Sequence, residues 1–229
     1  MNLQEIQEEL LNYVTLTQAQ ARRFFKCEPE QYAAHDQFLG ITVSHLRILA
    51  KKYKSISIDC VQELLSSPYN ECRLLGLLIL VMQYQKSTPD QQKNLYHFYL
   101  KNIEYINNWN LVDSSAHHIV GHYLFDKDIE KLYKLATSKN VWHRRIAIVA
   151  TWYFIRQSKV DVTFTIAKLL LNDKHDLIHK AVGWMLREAG KKDEALLIIF
   201  LNAHANQMAK TMLRYAVEKL PNKAQYTTK

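Results

Sequence analysis

The sequence predicts an all-α fold in which helical pairs stack into a superhelical solenoid. Apolar residues recur at helical spacing along most of the 229 residues. Turn-formers are scarce, with 5 Gly and 4 Pro, too few for the many hairpins of a sandwich or barrel. A basic residue followed by an apolar run also returns at a regular interval. At 48% hydrophobic residues the chain is no disordered polymer and can bury one sizeable core.

Leu3, Ile6, Leu10, Tyr13 and Val14 form an i, i+3, i+4 stripe that opens the first helix. "SHLRILAKKY" (44–53) places Ser44 as an N-cap. "STPDQQKNLYHFYL" (87–100) puts Pro89 in a first helical turn, where its missing N–H costs no hydrogen bond. Further stripes run over 141–156, 160–171, 176–189, 193–204 and 208–220, and nothing reads as a strand. The apolar run 74–82 is stopped by Gln83 and is too short to span a membrane.

Aligning "RLLGLLILV" at Arg73, "RIAIVATWYF" at Arg145, "KAVGWMLREAG" at Lys180 and "RYAVEKL" at Arg214 gives gaps of 72, 35 and 34 residues. The first gap holds two periods, leaving one unit for the segment around Trp109 to Gly121. Two helices per period of this length is the signature of a helical-pair solenoid, whose equivalent helices line one surface. The predicted domain is a single repeat array over 1–229, with capping helices at about 1–38 and a mobile tail at about 221–229.

The 30 Lys and Arg outweigh the 22 Asp and Glu, a net charge of +8 spread along the chain, which points to an anionic partner. Cys27, Cys60 and Cys72 are odd in number and form no C-x-x-C pair, which fits reduced thiols in the cytoplasm. The acidic start "MNLQEIQEEL" is unlike a signal peptide.

Within this basic chain, "NNWNLVDSSAHHIVG" (107–121) sets Trp109 and Asp113 four residues apart, one turn along a helix. Arg145 and Arg187 follow Trp142 and Trp184 by three residues, a spacing that puts each guanidinium near an indole. Guanidinium groups suit phosphate oxygens, and indole faces suit cations or sugar C–H groups. Trp152 lacks the pattern and is assigned to the core. A carboxylate weakens binding to phosphates, so Asp113 has either a structural use, as a cap or ion-pair partner, or a chemical one. The chemical use is stabilisation of an oxocarbenium-like sugar while a glycosidic bond breaks.

These residues resemble those of a known family. "NNWNLVD", "VWHRRIAI", "KAVGWMLREAG" and "TMLRYAVEKLP", together with "DQFLGITVSHLRILAKKY" (36–53), are similar in order and separation to motifs of the AlkD-type alkylpurine DNA glycosylases, over about residues 30–221. The resemblance implies HEAT-like helical pairs that hold duplex DNA in a basic concave groove. It implies excision of cationic bases such as 3-methyladenine and 7-methylguanine, the first step of base excision repair, without a base-flipping pocket. It makes Asp113 the catalytic carboxylate, sets Trp109 and Trp184 beside the lesion sugar, and gives Arg145 and Arg187 the flanking phosphates. No cofactor, metal or obligate protein partner is implied, and a monomer in the cytoplasm is expected. Two positions depart from the family pattern: Asn110 stands where Asp is frequent, and Ser44 where Pro is.

The chemistry is consistent with that implication. An N-alkylated purine is already cationic and leaves neutral, so one carboxylate and a water suffice where neutral leaving groups demand a second, acidic carboxyl. The rival class is a non-catalytic helical-repeat scaffold that binds DNA or protein, since fold does not fix function. Its discriminating lack would be a use for Asp113. His118 and His122 are separated by four residues but offer no third metal ligand, and Cys27 with His35 lacks an orienting partner. "RRFFKC" (22–27) mixes basic and aromatic residues and is either a contact to the lesion strand or simply an amphipathic helix end with Phe24 or Phe25 in the core.

Overall fold

The computed structural model describes residues 3–227, and among them there are helices but no strand, only the isolated bridges Val14–Ile41 and Gln37–Tyr69. The chain divides between Ser115 and Ala116 into two compact units. In the first, α1 (Leu3–Leu11) buries Ile6 and Leu10 and touches α4 (Ile58–Leu65). Between them lie α2 (Gln18–Arg22) and α3 (Val43–Lys52). Helix α5 (Asn70–Lys86) packs on α3, α4 and α6 (Pro89–Lys101), and is buried along most of its length. Its neighbours on three sides explain why its apolar residues do not form a single stripe.

Thr42, not Ser44, caps α3: its hydroxyl accepts from the His45 N–H, and Ser44 is the second residue of the helix, with its own hydroxyl 2.9 Å from that of Thr42. The Pro89 expectation matches the structure, with Pro89 at the start of α6 and the Gln91 side chain accepting from the Thr88 N–H at 2.9 Å. α7 (Trp109–Ala116) lies in the first unit except for its last residue.

The second unit opens on a π-helical turn, His117–Gly121, followed by α8 (His122–Leu124) and α9 (Glu130–Ala136). Its centre is α10 (Val141–Arg156), which packs on the π turn, on α9, on α11 (Asp161–Leu169) and on α12 (Asp176–Gly190). α13 (Glu194–His204) and α14 (Lys210–Ala216) follow, α14 pressed closely on α12. At that contact a Cβ on Gly183 would lie 2.4 Å from the Met212 carbonyl oxygen, so only glycine allows the approach. The tail predicted to be mobile carries a short α15 (Ala224–Thr227), whose Tyr226 hydroxyl donates to Asn202 at 3.0 Å. Residues 228 and 229 of that tail lie outside the described residues.

The repeat exists with a corrected register. Arg73 and Arg144 are each the fourth residue of their helix, and each folds back on the loop before it. Arg73 donates to the carbonyls of Ser67 (2.8 Å) and Pro68 (3.1 Å) and pairs with Asp36. Arg144 donates to those of Ser138 and Lys139 (both 2.9 Å) and pairs with Asp173 at 2.6 Å. Arg73 therefore corresponds to Arg144, not to Arg145 as the sequence alignment has it. Adjacent arginines at 144 and 145 made the one-residue slip invisible without coordinates.

Among the described residues, no helix is long and apolar enough to cross a membrane.

Candidate functional site

Asp113 is out of keeping with the residues at the same place in three other helices. Arg145, Lys180 and Arg214 are each the fifth residue of their helix, in α10, α12 and α14. In α7 the fifth residue is Asp113. A position that is cationic in α10, α12 and α14, and Leu74 in α5, carries a carboxylate in α7.

The start of α7 is held by a buried polar network. The Asp36 side chain is wholly enclosed and pairs with Arg73, while His35 Nε2 lies 3.2 Å from it. It also accepts from the Asn70 amide at 3.0 Å and the Asn108 amide at 2.5 Å. Asn108 in turn accepts from the Trp109 N–H at 2.7 Å, which satisfies one of the donors left over at a helix start. Asn110 donates to Asn70 at 2.7 Å and accepts from it at 3.4 Å. The amide at 110, where the resemblance would have an Asp, thus makes a reciprocal pair that a carboxylate could not make.

On the far side of the helix, Ser115 donates to the Leu111 carbonyl at 2.7 Å and so accepts from the Tyr99 hydroxyl at 3.0 Å. Burial pushes the Tyr99 hydroxyl pKa up, with the charge of Asp113 a smaller contribution in the same direction. The phenol stays a proton donor throughout the physiological range.

Trp109 and Asp113 are both half-buried and line a cavity of about 410 Å³ within the first unit. Its wall is mostly apolar and includes Phe24, Phe25, Phe38 and Leu46. Phe25 stacks on Phe38 at 4.7 Å and on Trp109 at 5.3 Å, both within 26° of parallel, so three aromatic rings form a column that fixes the indole. One edge of the cavity is the "FLGI" loop. Glu71 of α5 accepts the N–H groups of Leu39 (3.0 Å), Gly40 (2.9 Å) and Ile41 (3.4 Å) there. Gly40 has φ +90°, and a Cβ on it would fall 2.0 Å from the Leu16 carbonyl oxygen.

The remaining predicted residues belong to the second unit. Trp184 is half-buried and meets Trp152 edge-on at 5.1 Å. Trp152, assigned to the core by its lack of a following Arg, is half-buried too, and its other neighbour is His117 at 4.5 Å. It is the twelfth residue of α10, as Arg187 is of α12, a correspondence already contained in the alignment of Arg145 with Lys180. Trp142 is buried. Arg187 pairs with Glu218 and, at 3.3 Å, with Glu188. Arg145 is only 5% exposed and donates to the Leu177 carbonyl at 2.5 Å, unlike the open groove arginine expected from the sequence.

The π turn changes the histidine reading. His117 is buried, with its ring 3.8 Å from that of His118, whereas His122 turns to Tyr153 at 5.0 Å. Burial, with Arg156 adding to it, lowers the His118 pKa; burial, with Lys127 adding to it, lowers that of His122. Among the described residues no three His, Cys, Asp or Glu side chains converge as metal ligands do. Cys27 is buried and its thiol pKa is raised by that burial, which disfavours the thiolate a nucleophile needs.

The sequence profile of a family described as "DNA alkylation repair enzyme" matches residues 6–220. A solved structure titled "Predicted DNA alkylation repair enzyme from Enterococcus faecalis" superposes with a TM-score of 0.67 at 13% identity, covering 91% of this chain and 99% of that one. At that identity the likeness speaks for the fold alone. Among curated proteins, no sequence matches.

Proposed function

Since the chain belongs to the DNA alkylation repair enzyme family, we propose that it is a DNA glycosylase that hydrolyses the N-glycosidic bond of cationic alkylated bases, 3-methyladenine and 7-methylguanine, in duplex DNA. The observation that carries this reading is Asp113. It replaces the cation found at the fifth position of three other helices and lines an apolar cavity beside a braced indole. A scaffold that only grips phosphates gains nothing from such a carboxylate.

The reaction follows from charge. As the C1′–N bond lengthens, its electron pair passes to the cationic purine, which leaves neutral, and positive charge collects on the sugar. Asp113 opposes that charge in a site whose apolar wall keeps the local dielectric low, so the attraction is stronger than in water. Because the ground-state sugar carries no charge, the interaction lowers the barrier more than it tightens binding. The Trp109 ring, negative on its face, adds to the stabilisation. Water adds to C1′ and gives up a proton to Asp113 or to solvent, leaving an abasic site for base excision repair.

By the resemblance, Trp184 is proposed to contact the lesion sugar and Arg187 a flanking phosphate; Arg145, closed off against the Leu177 carbonyl, is not. Arg187 does so by exchanging Glu218 for a phosphate oxygen.

The test is single-turnover release of 7-methylguanine from a methylated duplex by wild type and Asp113→Asn. Loss of release in the variant, with duplex binding intact, supports the reading. A wild type that binds duplex but releases neither 7-methylguanine nor 3-methyladenine removes it, and the non-catalytic scaffold stands instead.

A further inference from the structure

Trp152 and Trp184 keep part of their surface open, unlike Trp142, which the core encloses. Trp152 stands at the twelfth position of α10, where α12 carries Arg187. From there its ring meets that of Trp184 edge-on, 5.1 Å away and 62° from parallel. A second ring, that of the buried His117, lies 4.5 Å from Trp152 at 46°. His118 continues the row at 3.8 Å from His117.

The π turn builds this row. Such turns are rare and recur at functional sites. Here the turn lies hard against α10: a Cβ on Gly121 would fall 2.2 Å from the Ala150 carbonyl oxygen and 2.9 Å from Tyr153 Cβ, residues that bracket Trp152 in the chain. That approach brings the His117 ring onto Trp152. In the first unit Phe25 and Phe38 back Trp109 in the same way.

We infer that Trp152 is a positioning residue: held by His117, it sets the tilt of the Trp184 indole and through it the rate of base release. The inference rests on the reading that Trp184 contacts the lesion sugar. An indole attracts a cation that sits over its face, so the tilt of the ring decides how much of the sugar's developing charge it meets. An edge-to-face partner fixes that tilt, because the positive edge of one ring rests on the negative face of the other. Without the partner, the loss falls on the transition state. Duplex binding, which phosphate contacts govern, is left nearly as it was.

The experiment joins single-turnover release of 7-methylguanine to fluorine NMR of the free protein labelled with 5-fluorotryptophan. The Trp184 signal is identified by its loss in Trp184→Phe. In Trp152→Leu that signal is expected to shift and broaden. The release rate at saturating duplex is expected to fall about 10-fold, equivalent to about 1.4 kcal/mol and near the most that one edge-to-face pair supplies. The duplex concentration giving half the maximal rate holds within about 3-fold. Trp152→Phe, which still presents a ring, recovers most of the rate. In a Trp184→Leu background Trp152→Leu costs nothing further, because the residue through which it acts is gone. If Trp152→Leu does not fold, His117→Ala carries the same two readouts and is expected to move both in the same direction.

A Trp184 signal unmoved by loss of the neighbouring ring overturns the inference, whatever the activity. So does a fall in rate that persists in full without Trp184, which would assign Trp152 to the DNA itself or to the fold alone. Wild type that binds duplex but releases no base removes the glycosylase reading instead, and the Trp184 signal still decides whether Trp152 holds the indole.

Discussion

Asn108 joins Asp36 to Trp109: its amide donates to the buried carboxylate at 2.5 Å, and its carbonyl oxygen accepts from the indole residue's N–H at 2.7 Å. A residue from the loop after α2 thereby sets the first turn of the helix that carries Asp113. Asp36→Ala strands the Arg73 guanidinium, which is 4% exposed, and releases Asn70 and Asn108 together. Breaking one side of a buried pair costs about 3–5 kcal/mol, and urea unfolding should show a loss of that size. A loss below about 1 kcal/mol would show that the network holds far less than its geometry implies.

Phe25→Leu keeps an apolar side chain but removes the ring between Phe38 and Trp109. The aromatic pairs account for about 1 kcal/mol beyond their buried area, which is the expected stability loss. The Trp109 indole N–H resonance should shift and broaden. Base release should slow while the duplex Kd holds, because the indole is loosened and the phosphate contacts are untouched.

Gly183→Ala places a methyl 2.4 Å from the Met212 carbonyl and 2.6 Å from Tyr215 Cβ, both on α14. The better helix propensity of alanine recovers less than 1 kcal/mol, so α12 and α14 must separate at a net cost of about 1–3 kcal/mol. A thermal unfolding midpoint at or above the wild-type value would contradict the close approach of these helices.

Three half-buried histidines of the second unit, His118, His122 and His175, have pKa values lowered mainly by burial. Unfolded, each takes up a proton at a higher pH than it does folded, so the unfolded state binds more protons as the solution is acidified. Their contribution to stability is complete above the unfolded value of about 6.5 and is lost as pH falls through the folded values. The melting temperature should fall between pH 7 and pH 5.5, before carboxylate protonation intervenes. His118→Gln should flatten the fall. A melting temperature that is level over that window would rule the histidines out as its acid sensors.

Much of this was legible in the sequence because helices announce themselves locally. The stripes at 141–156 and 176–189 correspond to α10 and α12 nearly residue for residue, since 3.6-residue periodicity depends only on which face meets a core. The four-residue spacing of Trp109 and Asp113 likewise put both on one turn of α7.

What the sequence by itself determined, then, is the helical class, the order of the helices and the pairing of Trp109 with Asp113, all consequences of contacts within a few residues. The tertiary structure alone decided the rest. It chose Arg144 over Arg145 as the repeat equivalent of Arg73, because only loop carbonyls in place distinguish two adjacent arginines. It sent Phe25 inward and Phe24 outward, because the turn after α2 is set by Phe38 and Trp109, 13 and 84 residues further along the chain. It buried Arg145 against the Leu177 carbonyl and brought Trp152 to Trp184, since burial is fixed by helices that pack from elsewhere in the sequence.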